Sequence, residues 1–385
     1  MRKMPVDAQM FPARAVISTE ALEHNLNRFR QRITGEKIMA IIKADAYGHG
    51  MWRCAQAFSR AGADYLGVAQ LAEAVVLARR ARQESVQLPP IFSWIFDDSA
   101  GLCEALELGI ELSVGTPWAL RKLEETLEYS TRPARIHIAV DTGMSREGFA
   151  PAELPNATRT LARLEQTGRV TVVGVWSHLA CADTSDTTTT HEQIKRFRSA
   201  IDVVHAGGVE APLEHLAASG GALWYPEARF AMVRPGILLY GLSPEPAKET
   251  AEQIGLIPAM RLESSVIAER TIPAGQGVSY GHTFVSDSEM KVGIVPLGYA
   301  DGIPRHASNV CEVLVDGRRA RIRGRVCMDQ CVVELPEGAG VESRVVMWGD
   351  PGRGEPGVWE WAEKMGTIGY EITTRLASRV PRVDE

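Results

Sequence analysis

The residues whose types and spacing suit chemistry cluster first in "IIKADAYGHG", residues 41–50. An apolar run (Ile38, Met39, Ala40, Ile41, Ile42) ends on Lys43, and Asp45, Tyr47, Gly48, His49 and Gly50 follow at once. Position alone describes a lysine emerging into solvent after a strand. A desolvated lysine, by contrast, has a depressed pKa and becomes a usable amine nucleophile or base near neutral pH. Tyr47 and the flanking glycines suit a phenol and a close backbone approach to a phosphate. An amine so placed is what a Schiff base with pyridoxal phosphate requires.

The elements that must position this lysine follow two grammars. From about residue 14 to 244, β-branched apolar runs alternate with amphipathic helical stretches. The runs are 37–44, 64–69, 90–96, 110–115, 135–141, 172–179, 213–219 and 228–236. Alternating strands and helices imply a parallel sheet. Eight strands in this length fit a closed (β/α)8 TIM-type barrel, with an open doubly wound sheet as the alternative. In a barrel, functional groups collect at the C-terminal ends of the strands, which is where Lys43 falls. After residue 245 short strands are separated by Gly, Pro and Asp turns, with "VDGRR" as a hairpin signal and "GVWEWAEKM" as one helix. The expectation is a barrel over 1–244 and an antiparallel β domain over 245–385.

Composition excludes several classes of function. A net charge of −6 argues against nucleic acid or an anionic membrane surface as the main partner. No stretch approaches the ~20 apolar residues that span a bilayer. "MRKMPVDAQMFPARAV" has a basic start but no apolar core, so it does not read as a signal peptide. The six cysteines show no metal-ligand spacing and read as reduced, buried thiols of a cytoplasmic protein. Cys327 and Cys331, four apart in a strand-like run, are expected on one face.

Eight further motifs accompany the lysine decapeptide. They are "DTGMSREGF" (141–149), "WSHLACAD" (176–183), "HLAAS" (215–219), "VRPGILLYG" (233–241), "GVSYGHTF" (277–284), "GYADGIPR" (298–305), "GRVCMDQ" (324–330) and "IGYEITTRLASRVPR" (368–382). Together, and in this order, they resemble the alanine racemases, the barrel-plus-β-domain class of pyridoxal phosphate enzymes. The resemblance implies a homodimer with shared active sites and interconversion of L- and D-alanine, supplying D-alanine for peptidoglycan. It implies that Lys43 carries the cofactor and that Lys43 and Tyr280 are the two bases on opposite faces, with Tyr280 reaching the other subunit's cofactor. Tyr47, Ser219, the backbone of Gly236 and Ile237, and Tyr370 would hold the phosphate. Arg234 would face the pyridine nitrogen, with His215 orienting it, and His178 would stack on the ring. Arg146 and the backbone N–H of Met328 would take the substrate carboxylate. Asp183, Tyr299, Arg305, Arg325 and Tyr370 would line the approach to the site.

The pattern is broken at three positions. Ala139 stands where many members have a carbamylated lysine that positions the substrate arginine. Ala218 replaces a usual asparagine. Glu147 replaces an apolar residue and is expected to pair with Arg146. Other readings are a racemase of serine or of broader amino-acid range, a non-catalytic pyridoxal phosphate-binding protein, and a decarboxylase of related architecture. "GVSYGHTF" argues against the non-catalytic reading, and together with "VRPGILLYG" against the decarboxylase.

Overall fold

The computed structural model describes residues 10–97 and 101–385, so most of the basic N-terminal stretch read above lies outside the described residues. The first strands in chain order are β1 (Ala13–Ile17), β2 (Lys37–Ile41), β3 (Tyr65–Gln70), β4 (Ile91–Ile95), β5 (Glu111–Val114), β6 (Ala134–Ala139), β7 (Val170–Trp176), β8 (Leu213–His215) and β9 (Met232–Val233). β2 to β8 pair in parallel with their neighbours in sequence, and β9 returns to β2 with Lys37 opposite Met232. The remaining gap is bridged where Ala231 N–H donates to the Glu214 carbonyl (3.0 Å) and Arg234 N–H to the Ala217 carbonyl (2.9 Å). The sheet therefore closes into an eight-stranded barrel, and the eight apolar runs are its strands. β9 is short because Pro235 has no N–H to extend the ladder.

Local chemistry starts the helices between the strands. Ser18 caps Thr19–Arg30, Thr116 with Pro117 behind it caps Pro117–Tyr129, and Asp186 caps Thr187–Ala206. The first of these helices buries Leu22, Leu26 and Phe29 against the barrel wall. Each helix thus shields one face of a sheet whose strands are apolar on both sides.

β1 does not enter the barrel. It pairs antiparallel with Met260–Ser265 and parallel with Arg382–Asp384, inside a six-stranded sheet that also holds Arg344–Trp348, Glu312–Val315 and Arg318–Arg321. The last two form the anticipated hairpin, with Asp316 (φ 44°) and Gly317 (φ 82°) in the left-handed conformations its tight loop demands. Ala268–Ile272, Met290–Val295 and Cys331–Glu334 form a second, antiparallel sheet, and the expected helix spans Val358–Met365. Two cysteine expectations are corrected. Cys327 lies in the turn before the strand that Cys331 opens, so they share no strand face; and only Cys54, Cys311 and Cys331 are buried, Cys181 and Cys327 being half-buried and Cys103 exposed.

Candidate active site

Directly after β2 the chain makes a left-handed turn. Ala44, Asp45, Ala46 and Tyr47 all have φ between 52° and 55°, and Gly48 follows at 84°. Left-handed backbone costs roughly 1–2 kcal/mol per non-glycine residue, so specific contacts must hold it. The Glu73 carboxylate accepts from Ala44 N–H (2.7 Å), Asp45 accepts from Met51 N–H (2.8 Å), and Gly48 N–H donates to the Ala44 carbonyl (3.1 Å). A side chain at Gly48 would collide with the Thr373 carbonyl, so the turn is docked against the helix Gly369–Thr374. The result places Lys43 and Tyr47 on one opening.

That opening is a cavity of about 660 Å³ at the C-terminal ends of the barrel strands. Lys43, Tyr47, Arg146, His178, Asp183, Ser219, Arg234, Gly236, Ile237 and Tyr370 all line it, as do Glu147 and Ala218. Its size suits a small cofactor with a substrate. Tyr47 is packed so tightly on Gly236 that any side chain there would meet its hydroxyl, and the Tyr370 ring lies 6.2 Å from the Tyr47 ring. Ser219 Oγ accepts from Gly236 N–H at 2.9 Å. These residues concentrate hydroxyls and backbone amides in one part of the lining.

Burial depresses the Lys43 ammonium, and the Arg146 guanidinium adds to the effect. The amine sits 5.6 Å from the Trp94 ring. Arg234 is buried, and burial pulls its pKa down to about 9, which leaves it cationic at neutral pH. Its terminal nitrogens donate to His215 Nδ1 (3.1 Å), His178 Nδ1 (3.2 Å) and the Ser177 and Leu216 carbonyls (2.7 and 3.0 Å). Among the described residues Nε has no hydrogen-bond acceptor, and Arg234 lines the cavity, so that donor is available to a group bound there. Both histidines are held neutral, first by burial and then by Arg234. Arg146 pairs with Glu147 at 2.9 Å, as expected. Ala139 is buried beside them and lines a small recess with Arg146, Glu147, Trp176 and His178.

Five other predicted residues gather elsewhere, on turns and loops of the C-terminal half. Tyr280 is 70% exposed, and Met328 and Tyr299 are exposed as well. Tyr280 stands on a strained turn, with φ of 60° at Ser279 and 41° at His282. Ser279 Oγ donates to the Arg325 carbonyl (2.6 Å), Tyr299 N–H to that of Cys327 (3.0 Å) and Ala300 N–H to that of Met328 (2.9 Å). Arg305 is tied to the same region through Ser308, which accepts from Val326 N–H (3.0 Å). None of Tyr280, Tyr299, Arg305, Arg325 and Met328 lines the cavity that holds Lys43.

Comparison with known proteins gives this geometry a family. Residues 17–244 match the alanine racemase N-terminal domain and residues 259–384 the alanine racemase C-terminal domain. The chain belongs to the alanine racemase family. It is 42% identical to the alanine racemase of Thermobifida fusca over 96% of this chain and 97% of that one, and 44% identical to that of Beutenbergia cavernae over 97% and 98%. The crystal structure of alanine racemase from Streptomyces lavendulae superposes with a TM-score of 0.93 at 40% identity, covering 97% of each chain. As an alanine racemase the chain is a pyridoxal phosphate-dependent isomerase. The lining supports that cofactor: an amine with a lowered pKa, a hydroxyl and amide cluster for phosphate, and a cationic donor for a ring nitrogen.

Several residues of this racemase site escape sequence reasoning. Glu73 props the Lys43 turn, Trp94 faces the amine, and His137 and Glu111 stand behind His215. The last two carried a signal, since a glutamate and a histidine sit inside the β-branched runs "IELSVG" and "RIHIAVD". An ionisable group in an inward strand position demands a partner.

Proposed function

We propose that the protein interconverts L- and D-alanine at a site shared between two copies of the chain, with Lys43 and Tyr280 as the proton carriers on opposite faces. The observation that carries this reading is the amine of Lys43, depressed by burial and opening into the cavity that also holds Arg234 and Arg146. Bound pyridoxal phosphate supplies an electron sink that makes the α-proton of an attached amino acid removable. Lys43 holds the cofactor and, when freed, moves a proton on one face. Arg234 can only donate, so it keeps the ring nitrogen unprotonated. Tyr47, Ser219, Gly236, Ile237 and Tyr370 hold the phosphate, and His178 packs on the ring. Arg146, joined by the Met328 N–H, orients the substrate carboxylate through a planar fork. Glu147 supplies the negative charge beside Arg146 at a site where Ala139 offers none.

Tyr280 comes from the second copy. Its exposure on a strained turn, with Tyr299, Arg305, Arg325 and Met328 close by, supports a surface that completes another chain's barrel mouth. Asp183 and Tyr370 meet that surface from the barrel side. A twofold arrangement makes both sites equivalent. The product D-alanine suits peptidoglycan synthesis. Among the described residues no helix is long and apolar enough to cross a membrane, which fits a cytoplasmic enzyme.

Complementation tests the reading. Lys43→Ala and Tyr280→Phe proteins should each be inactive, and co-refolding them at equal amounts should restore about a quarter of parental activity. Half the dimers are then hetero, and each carries one intact site. Background activity, with heterodimers present, would place both residues in one chain's site and overturn the proposal.

A further inference from the structure

A chain of buried polar side chains runs from the cavity into the barrel core. Arg234 NH1 meets His215 Nδ1 at 3.1 Å, His215 Nε2 meets His137 Nδ1 at 2.9 Å, and His137 Nε2 meets Glu111 Oε2 at 2.8 Å. Arg234 is 4% exposed, His215 and His137 0%, and Glu111 1%. The other carboxylate oxygen of Glu111 accepts from Arg135 Nε at 2.8 Å. The surroundings are built around these rings. Trp176 stacks on His215 at 6.0 Å and 9°, and Phe92 packs 4.6 Å from His137. A side chain on Gly174 would lie 2.8 Å from His137 Nδ1, so this strand position leaves room only for a hydrogen.

The two ends fix every proton between them. A guanidinium can only donate and an ionised carboxylate can only accept. His215 Nδ1 must therefore accept from Arg234, which puts its proton on Nε2. That proton is donated to His137 Nδ1, so His137 also carries its proton on Nε2 and donates it to Glu111. Reversing either ring would set two donors face to face at Arg234 or two acceptors at Glu111, in an interior where an unmade hydrogen bond costs about 1–3 kcal/mol.

We propose that Glu111 and His137 are positioning residues that lock the tautomer of His215 and thereby hold Arg234 oriented with its remaining donor toward the cavity. The inference rests on the reading that Arg234 meets the cofactor ring. Glu111 is then the remote anchor of an electronic contact made several residues away. Its own charge is secured by the half-exposed Arg135 near the start of β6, so the lock does not depend on cofactor being present.

The experiment is nitrogen NMR on protein labelled at histidine, with and without pyridoxal phosphate. In the parent, His137 and His215 should both be neutral Nε2–H tautomers, already in the cofactor-free protein; a charged ring or an Nδ1–H form at either position overturns the lock without any variant. In Glu111→Gln the amide oxygen should stay on the charged Arg135, turning its NH2 toward His137 and reversing the relay, so both rings should become Nδ1–H and His215, now a donor there, should release Arg234. Glu111→Asp should keep the parental tautomers. With cofactor bound, Glu111→Gln should shift the absorption of the bound cofactor and lower kcat by about 10–100-fold, as loss of an outer hydrogen-bonding partner does, while KM for alanine changes little. Parental tautomers in folded Glu111→Gln overturn the proposal. Reversed tautomers with unchanged absorption and turnover support the lock but overturn the assignment of Arg234 to the ring, so the two failures are distinguishable.

Discussion

Lys43 joins two demands that conflict in an empty protein: an amine that is neutral enough to react, and a fold that must bury it. Because burial lowers its pKa, the unfolded chain binds a proton more tightly than the folded one, and stability rises with pH between the folded value and the unfolded value near 10.4. The penalty is fully present below the folded value. Replacing the amine in Lys43→Met should therefore make the cofactor-free protein more stable than the parent at pH 7, with the advantage shrinking toward pH 10. Urea denaturation at several pH values checks this, and an advantage that grows with pH would contradict it. At this scale the sequence was legible where a residue's chemistry is conspicuous for its place, as with Lys43 after an apolar run. Glu111 and His137 were not read, because a polar residue in a strand reveals its face only when its register is known. Tyr280 was read only through its surrounding motif; a lone exposed tyrosine carries no signal of its own.

The left-handed turn from Ala44 to Gly48 links a barrel strand to the site and to the helix Gly369–Thr374. Gly48 faces both a positive φ and the Thr373 carbonyl, whereas Gly109, at φ 75°, has open space around it. Gly109→Ala should cost about 1 kcal/mol from backbone strain alone. Gly48→Ala should cost about 3 kcal/mol, adding displacement of the helix that carries Tyr370, and should weaken pyridoxal phosphate binding several-fold. Thermal unfolding and cofactor titration of the two variants measure the difference. The barrel strands were legible because β-branched runs at regular spacing need both faces covered. The left-handed turn was not, since of its four non-glycine residues only Asp45 is of a type that tolerates that conformation well. β1 also escaped, because a five-residue strand with one arginine says nothing about a partner 249 positions away.

Across the molecule, Glu263 gathers Arg14 of β1 (2.7 Å), Arg261 (3.1 Å) and Arg344 (2.6 Å) around one nearly buried carboxylate. Burial alone would raise its pKa, but Arg344, Arg14 and Arg261 together bring it down to about 2. The sign follows: its contribution is complete above the unfolded value near 4.3 and is lost as pH falls toward about 2. Glu263→Gln should lower stability at pH 7 by about 1–3 kcal/mol, and the gap to the parent should close on acidification, as read by denaturant midpoints across pH 2–7. The same tie shows what the placement of β1 means while the chain is being made. Arg14 leaves the ribosome 249 residues before Glu263, a wait of about 12–50 s at ~5–20 residues per second. The barrel strands, complete at Val233, are all translated in that interval, and the parallel partner Arg382–Asp384 comes later still. Until then β1 is an unpaired strand open on both edges, so a nascent chain halted after the barrel can present a finished barrel and a strand free to pair with its neighbour on the same message.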